Sequence, residues 1–128
     1  MSENKNINTV EDYDAVLQVV QGYVDGLRTG NIDQLKKTFY KNAVMYGHLG
    51  NDLSEGSIEN LYAYVEKLGA APNIKTHLSI LHQTPTTAVV RVEMEKDAAG
   101  EDFTDYHSLI KINGEWKVVA KLFHLYNK

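Results

Sequence analysis

Hydrophobic positions near the start of the chain recur at the spacing of an amphipathic helix. Between residues 10 and 27 the apolar side chains are one, three or four positions apart, which places them on one helix face. Thr9 and Asp12 have the spacing of a capping box, so we expect the helix to begin after Thr9, and Gly30 is placed to end it. The residues of this face are Val10, Tyr13, Val16, Leu17, Val20, Tyr23, Val24 and Leu27.

Two shorter helices are predicted after the first one. Asn31 and Ser57 are suitable capping residues, and each precedes a run of apolar positions at helical spacing; Gly69 ends the second run. Between these helices, residues 43–48 are typical of a short strand, and the glycines of residues 47–56 indicate a turn-rich connection.

From Ile74 onward the hydrophobic period changes to two, which is typical of strands. Two alternating stretches, 74–81 and 89–95, precede two β-rich arms around Asn113-Gly114, a dipeptide that favours a tight hairpin turn. Helices followed by strands indicate an α+β domain, with three N-terminal helices packed on one face of a curved antiparallel sheet. A sheet that curls around helices encloses a cone, and we expect a pocket there.

Length, composition and charge restrict the class of protein. A chain of 128 residues with 43% hydrophobic and 23% charged residues fits one domain, which we assign to residues 9–128 after a disordered N-terminus at residues 1–8. The net charge of −4 argues against a nucleic-acid partner, and the absence of cysteine excludes disulfides and thiolate chemistry. No segment is typical of a signal peptide or long enough for a membrane span, so we expect a cytoplasmic protein.

The last hairpin admits two registers, which differ in the side chains that face the cone. With a two-residue turn at Asn113-Gly114, counting outward pairs Tyr106 with Lys121. With a three-residue turn and a bulge at Gly114, Tyr106 is paired with Ala120 instead.

The second register is favoured by charge. It pairs Asp105 with Lys121 and Lys111 with Glu115, and opposite charges stabilise cross-strand pairs. It therefore predicts that Asp105, His107 and Lys121 lie on the outer surface. The residues predicted to face the cone are Tyr106, Ser108, Ile110, Trp116, Val118, Ala120, Leu122 and His124.

Candidate chemistry rests on histidine and tyrosine. The five histidines have no metal-ligand spacing, so no metal is expected. Asp105 and His107 point the same way along a strand, and such a carboxylate can orient an imidazole as a general base, although the favoured register turns both outward. A tyrosine–histidine set over an apolar floor can instead bind a planar ligand or transfer a proton. The predicted ligand-binding residues are Tyr23, Tyr46, His48, Tyr106, Ser108, Trp116 and His124.

The segment from Tyr23 to Gly47, YVDGLRTGNIDQLKKTFYKNAVMYG, followed by the FTDY…NGEWKVV hairpin, resembles the nuclear transport factor 2-like (NTF2-like) superfamily with its cystatin-like fold. More narrowly, it is similar to the putative lumazine-binding and SnoaL-like branches. The resemblance covers nearly all of the chain after residue 8. It implies a homodimer formed through the outer face of the sheet and an apolar pocket between the sheet and the helices.

This superfamily contains both binding proteins and enzymes on one scaffold, so the resemblance leaves two functions open. One is a protein that binds a small apolar or aromatic molecule without a cofactor. The other is a cofactor-free SnoaL-like isomerase, cyclase or dehydratase that acts on an activated carbonyl compound, with His48 or His124 as the base. Ketosteroid isomerase, an enzyme of this fold, has a tyrosine donor that matches Tyr23, but its base falls on Gly47 and its second donor near Ser108. That reaction is therefore not expected.

Overall fold

The computed structural model describes residues 8–126, and all three predicted helices are present in it. The helices are α1 (Val10–Thr29), α2 (Ile32–Thr38) and α3 (Glu59–Leu68). The strands are β1 (Phe39–Leu49), β2 (Asp52–Ser57), β3 (Lys75–Gln83), β4 (Thr87–Glu95), β5 (Phe103–Ile112) and β6 (Glu115–Leu125). No helix in this part of the chain is both long and apolar enough to cross a membrane.

The helix ends are fixed by the caps that the sequence predicts. The Thr9 hydroxyl accepts the Asp12 amide at 3.1 Å, and the Asp12 carboxylate accepts the Thr9 amide at 3.0 Å, which completes a capping box. Gly30 ends α1 in the left-handed conformation, with φ of 71°. Asn31 accepts the Gln34 amide at 3.1 Å at the start of α2. The predicted start and stop of α1 and the predicted start of α2 are confirmed.

The α+β class is confirmed, and the sheet is larger than predicted and mixed. Its six strands have the order β2-β1-β6-β5-β4-β3. β1 and β6 run parallel, whereas the other neighbours are antiparallel. Much of the segment expected to be a turn-rich connection forms β2, which pairs with β1 from Val44↔Ser57 to Leu49↔Asp52. The prediction was wrong there because the glycines lie within an edge hairpin.

The register of the β5–β6 hairpin differs from both predicted registers. Ile112 is paired with Glu115 around a two-residue turn, in which Asn113 and Gly114 both have positive φ, as a type I′ turn requires. The pairing then shifts between Leu109↔Val118 and Ser108↔Ala120. One extra residue, Val119, therefore bulges from β6.

Two features reverse the predicted faces of the hairpin. The two-residue turn places Asp105 and His107 on the same face as Trp116 and Val118, and the bulge brings Lys121 to that face. Beyond the bulge, His107 is paired with Lys121 and Asp105 with Phe123. Asp105 and His107 are 0% exposed and Lys121 is 6% exposed, so the expected surface location of all three is wrong. The side chains that alternate with these three along β5 and β6 point outward instead.

The predicted disorder of residues 1–8 lies outside the described residues except at Asn8. The side chain of Asn8 donates a hydrogen bond to the Gln83 carbonyl at 3.0 Å, and Gln83 in turn donates to the Asp12 carbonyl at 3.0 Å. These two bonds attach the start of α1 to the end of β3.

Candidate functional site

A cavity lies between α1, α3 and the inner face of the sheet. Its volume is about 70 Å³. Apolar side chains make up most of the wall, among them Leu27, Met45, Leu61, Val65, Met94 and Phe103. Tyr23, Tyr64, Asp97 and Lys121 add ionisable groups to this apolar wall.

Lys121 reaches the cavity wall because the β6 bulge turns it inward. Its Nζ lies 4.4 Å from the centre of the Phe123 ring, a cation–π distance. Among residues 8–126 no hydrogen-bond acceptor is found for this ammonium group. Burial lowers the pKa of Lys121, and the negative charges of Asp105 and Asp97 offset part of that effect.

Asp105 is the buried counter-charge next to Lys121. Its Oδ2 accepts a hydrogen bond from the Tyr23 hydroxyl at 2.7 Å and lies 3.3 Å from His107 Nε2. Burial acts to raise the pKa of Asp105, but the charge of Lys121 and the hydrogen bonds of His107 and Tyr23 outweigh it, and this pKa lies below its usual value. The Asp105 side chain is therefore a carboxylate at neutral pH.

Tyr23 and His107 are neutral partners of that carboxylate. Burial and the Asp105 charge raise the pKa of Tyr23 well above its usual value, so the hydroxyl keeps its proton and donates it to Asp105 in a hydrogen bond. Burial lowers the pKa of His107 despite the opposing effect of Asp105, so the imidazole is neutral. Its ring packs edge-on against Tyr23 with centres 4.6 Å apart.

A second tyrosine–carboxylate pair stands on the cavity wall. The Tyr64 hydroxyl of α3 donates to Asp97 Oδ2 at 2.6 Å, and Asp97 Oδ1 accepts the amides of Ala99 and Glu101 at 2.9 Å each. Burial raises the pKa of Tyr64, as does its hydrogen bond to Asp97. This pair connects α3 to the β4–β5 loop and places a second carboxylate within electrostatic range of Lys121.

The site thus has a buried amine at an apolar cavity, with two carboxylates within electrostatic range of it. Such an amine can donate to a carbonyl oxygen or, when deprotonated, attack a carbonyl carbon. Within the described part of the chain, no group of three or more histidine, cysteine, aspartate or glutamate side chains is arranged to hold a metal ion.

The structure brings one of the seven predicted ligand-binding residues to the cavity. Tyr23 lines it, whereas Trp116 is buried away from its wall. The other five have the opposite strand parity and lie on the outer face, so their expected orientation into the cone is wrong: Tyr46, His48, Tyr106, Ser108 and His124. Ligand binding by any of the seven stays a prediction.

Lys121, Tyr64 and Asp97 are the site residues that sequence reasoning missed. The Asp105-x-His107 pattern gave a usable signal, because two same-face titratable groups between apolar residues can be buried together. Lys121 on the neighbouring strand β6 would be predicted to join them only if the bulge in that strand were known. Asp97 lies in a loop, where hydrophobic period carries no information.

Comparisons with known proteins agree with this architecture. The chain matches the model of a family described as putative lumazine-binding over residues 11–124. It is 35% identical over 118 residues to aldolase FrzH from Cladobotryum sp., and the match covers 92% of this chain and 94% of that protein.

Solved structures share the whole fold. An NTF2-like protein of unknown function from Methylobacillus flagellatus KT is 28% identical with a TM-score of 0.91, over 98% of this chain and 100% of the other. One from Shewanella baltica OS155 is 26% identical with a TM-score of 0.87, over 96% and 100%. A ketosteroid isomerase-like protein from Erwinia carotovora atroseptica is 15% identical with a TM-score of 0.72, over 94% and 100%, and shows the fold alone.

Proposed function

The chain belongs to the putative lumazine-binding family of the NTF2-like superfamily, and from that premise we propose that it is a cofactor-free enzyme that acts on a small carbonyl compound. The reaction that we propose is of the aldol type, the making or breaking of a carbon–carbon bond next to a carbonyl group. The substrate binds in the apolar cavity with its carbonyl group toward Lys121.

The observation that carries this proposal is the burial of Lys121 at an apolar cavity. Placing an ammonium group there costs several kcal/mol of desolvation, which an apolar side chain would avoid. A site that only binds apolar molecules has no use for such a group. Perturbed ionisable groups in a cavity are typical of catalytic sites.

The relative named aldolase supports the reaction class. At 35% identity over nearly the full length of both chains, it has the same fold and a comparable cavity is expected there. His48 and His124, which the sequence predicted as candidate bases, lie outside the cavity and have no part in this reaction. Lys121 instead supplies the electrophilic group, and Asp97 is the carboxylate on the wall that can take up a proton.

The catalytic step requires stabilisation of negative charge that develops on the substrate oxygen. Lys121 can provide it, because its side chain is only 6% exposed and a buried charge interacts more strongly than one in solvent. The charge of Asp105 offsets part of the effect of burial on the amine, and Tyr23 and His107 hold Asp105 in place through their hydrogen bonds. These three are positioning residues.

A retro-aldol assay tests the proposal without knowledge of the natural substrate. The probe is an aryl β-hydroxy ketone whose cleavage releases a fluorescent aromatic aldehyde. We expect cleavage by the wild-type protein and a loss of about 100-fold or more in Lys121→Gln. Lys117→Gln is the matched control, because Lys117 lies on the same strand and its Nζ donates to the Lys37 carbonyl at 2.8 Å. Equal rates in the wild type and Lys121→Gln would refute the proposal.

The family description favours a second candidate, the binding of a lumazine-type heteroaromatic molecule without turnover. The apolar cavity wall is compatible with a planar ligand. In a thermal-shift titration, lumazine that binds only the folded state must raise the unfolding temperature. A shift with lumazine, together with no cleavage of the β-hydroxy ketone, would favour this candidate over the enzyme.

A further inference from the structure

We propose that the Lys121 ε-amine acts as a nucleophile and forms a Schiff base with the carbonyl carbon of the ligand in the cavity. This inference rests on the proposed function and specifies its chemistry. It assigns to Lys121 a covalent role, which is distinct from hydrogen bonding to the substrate oxygen.

The contacts of Lys121 are those of a reactive amine. Its side chain is on the cavity wall, and among residues 8–126 its Nζ has the Phe123 ring as a neighbour and no hydrogen-bond acceptor. Lys117, which lies earlier on β6, differs in this respect: its Nζ is bound to the Lys37 carbonyl and lies 3.8 Å from Glu115. Attack on a carbonyl needs an amine that is free of such partners.

The apolar wall also favours the reactive protonation state. Burial lowers the pKa of Lys121, which increases the fraction of neutral amine at a given pH. Desolvation in a hydrophobic pocket is a known way to activate a lysine nucleophile.

The atoms and charges of the step balance within the site. The ammonium first gives up a proton, and the neutral nitrogen then forms a bond to the carbonyl carbon. The carbonyl oxygen leaves as water with two of the three ammonium hydrogens, and the resulting iminium keeps the third hydrogen and the positive charge. Because the charge on the nitrogen is the same before and after this step, Asp105 and Asp97 are counter-charges of the iminium as they are of the ammonium.

The iminium then makes the neighbouring carbon acidic. Loss of a proton from that carbon to the Asp97 carboxylate gives a neutral enamine, which forms the new carbon–carbon bond to a second carbonyl group. Asp97 returns its proton to the oxygen of that group. Water finally adds to the iminium, releases the product and restores the amine. Cleavage of a β-hydroxy ketone follows the same steps in reverse.

Reductive trapping tests the inference directly. The full-length protein is incubated with 4-phenyl-2-butanone, an apolar ketone, and treated with sodium borohydride. We expect one adduct per chain, with a mass gain equal to the ketone less one oxygen atom, and peptide mapping should locate it at Lys121. Lys121→Arg should show no adduct at that site, whereas Lys117→Arg should be modified like the wild type.

Each outcome bears on the inference separately from the proposed function. Adducts spread over exposed lysines, or unchanged in Lys121→Arg, would overturn the covalent role. Cleavage of the β-hydroxy ketone without any trapped adduct would also overturn it and leave the proposed function intact. A Lys121 adduct without cleavage would support the nucleophile and contradict the aldol activity. The position of the adduct in the wild-type protein shows whether Lys121 is the nucleophile even if a Lys121 variant does not fold.

Discussion

Asp105 and Lys121 lie inside the protein on neighbouring strands, so each stabilises the ionised form of the other. Removing one buried charge leaves the other uncompensated, which costs more than removing both. We expect Asp105→Asn to lower the free energy of unfolding by about 3 kcal/mol. The free energy of unfolding lost in the double variant Asp105→Asn/Lys121→Met should be ~1–3 kcal/mol smaller than the sum of the losses in Asp105→Asn and Lys121→Met. Urea denaturation of the four proteins measures this coupling.

The matched control for that cycle is an exposed ion pair. Asp25 and Arg28 are 3.3 Å apart on α1 with both side chains substantially exposed. Asp25→Asn should change the free energy of unfolding by less than about 1 kcal/mol, because solvent screens the pair. Additive losses for Asp105 and Lys121 would contradict the electrostatic account of the site.

Secondary-structure elements show how far the sequence determines this fold. The favoured three-residue form of the Asn113-Gly114 turn was wrong. The caps of α1 and α2 and the position of that turn depend on interactions between residues a few positions apart, and these were predicted correctly. The bulge at Val119 was not, because nothing in the local sequence requires it. It allows Val118 and Phe123, which have opposite strand parity, both to be buried in the core. The two-residue turn therefore decides that Asp105 and His107 face inward, and the one extra residue decides that Lys121 does.

Gly47 gives a prediction for the contact between β1 and β6. A Cβ at this position would lie 2.5 Å from the Phe123 carbonyl oxygen and 2.6 Å from its ring. Phe123 also contacts Lys121, so displacing its ring disturbs the site. We expect Gly47→Ala to destabilise the fold by ~1–3 kcal/mol in urea denaturation, because a crowded core must shift.

The control for Gly47→Ala is Gly50→Asn. Gly50 has φ of 64° and open space where a Cβ would lie, and asparagine tolerates that conformation. The free energy of unfolding of Gly50→Asn should stay close to that of the wild type. An equally stable Gly47→Ala protein would mean that the Phe123 ring can move without cost, and the ring would then not fix the position of Lys121.

At the scale of the whole molecule, the two faces of the sheet differ in the side chains that they present. The inner face holds the charged site. On the outer face Tyr46, Leu122 and Tyr106 lie side by side on β1, β6 and β5, with exposures of 42%, 56% and 40%. The residues predicted for the pocket thus form an apolar outer patch, defined here by these three side chains. Apolar groups that adjoin on a surface mark interaction sites.

We propose that the outer patch is the surface of a homodimer, with a second copy of this chain as its occupant. The same exposed tyrosine and leucine side chains of two copies can meet in an interface with two-fold symmetry. Leu122→Lys would bring two buried charges together at such an interface. Sedimentation should show a dimer for the wild type and a monomer for Leu122→Lys.

The control, Val10→Lys, places the same charge at a 76% exposed position on α1, which packs on the inner side of the sheet, and should remain dimeric. A wild-type protein that is monomeric at all concentrations would contradict the dimer. If Leu122→Lys is monomeric and retains retro-aldol activity, the cavity is complete within one chain. Leu122 on the outer face and Lys121 on the inner face are adjacent residues of β6. If Leu122→Lys loses activity on dissociation while Val10→Lys stays active, β6 needs the second copy of the chain to hold Lys121 in place.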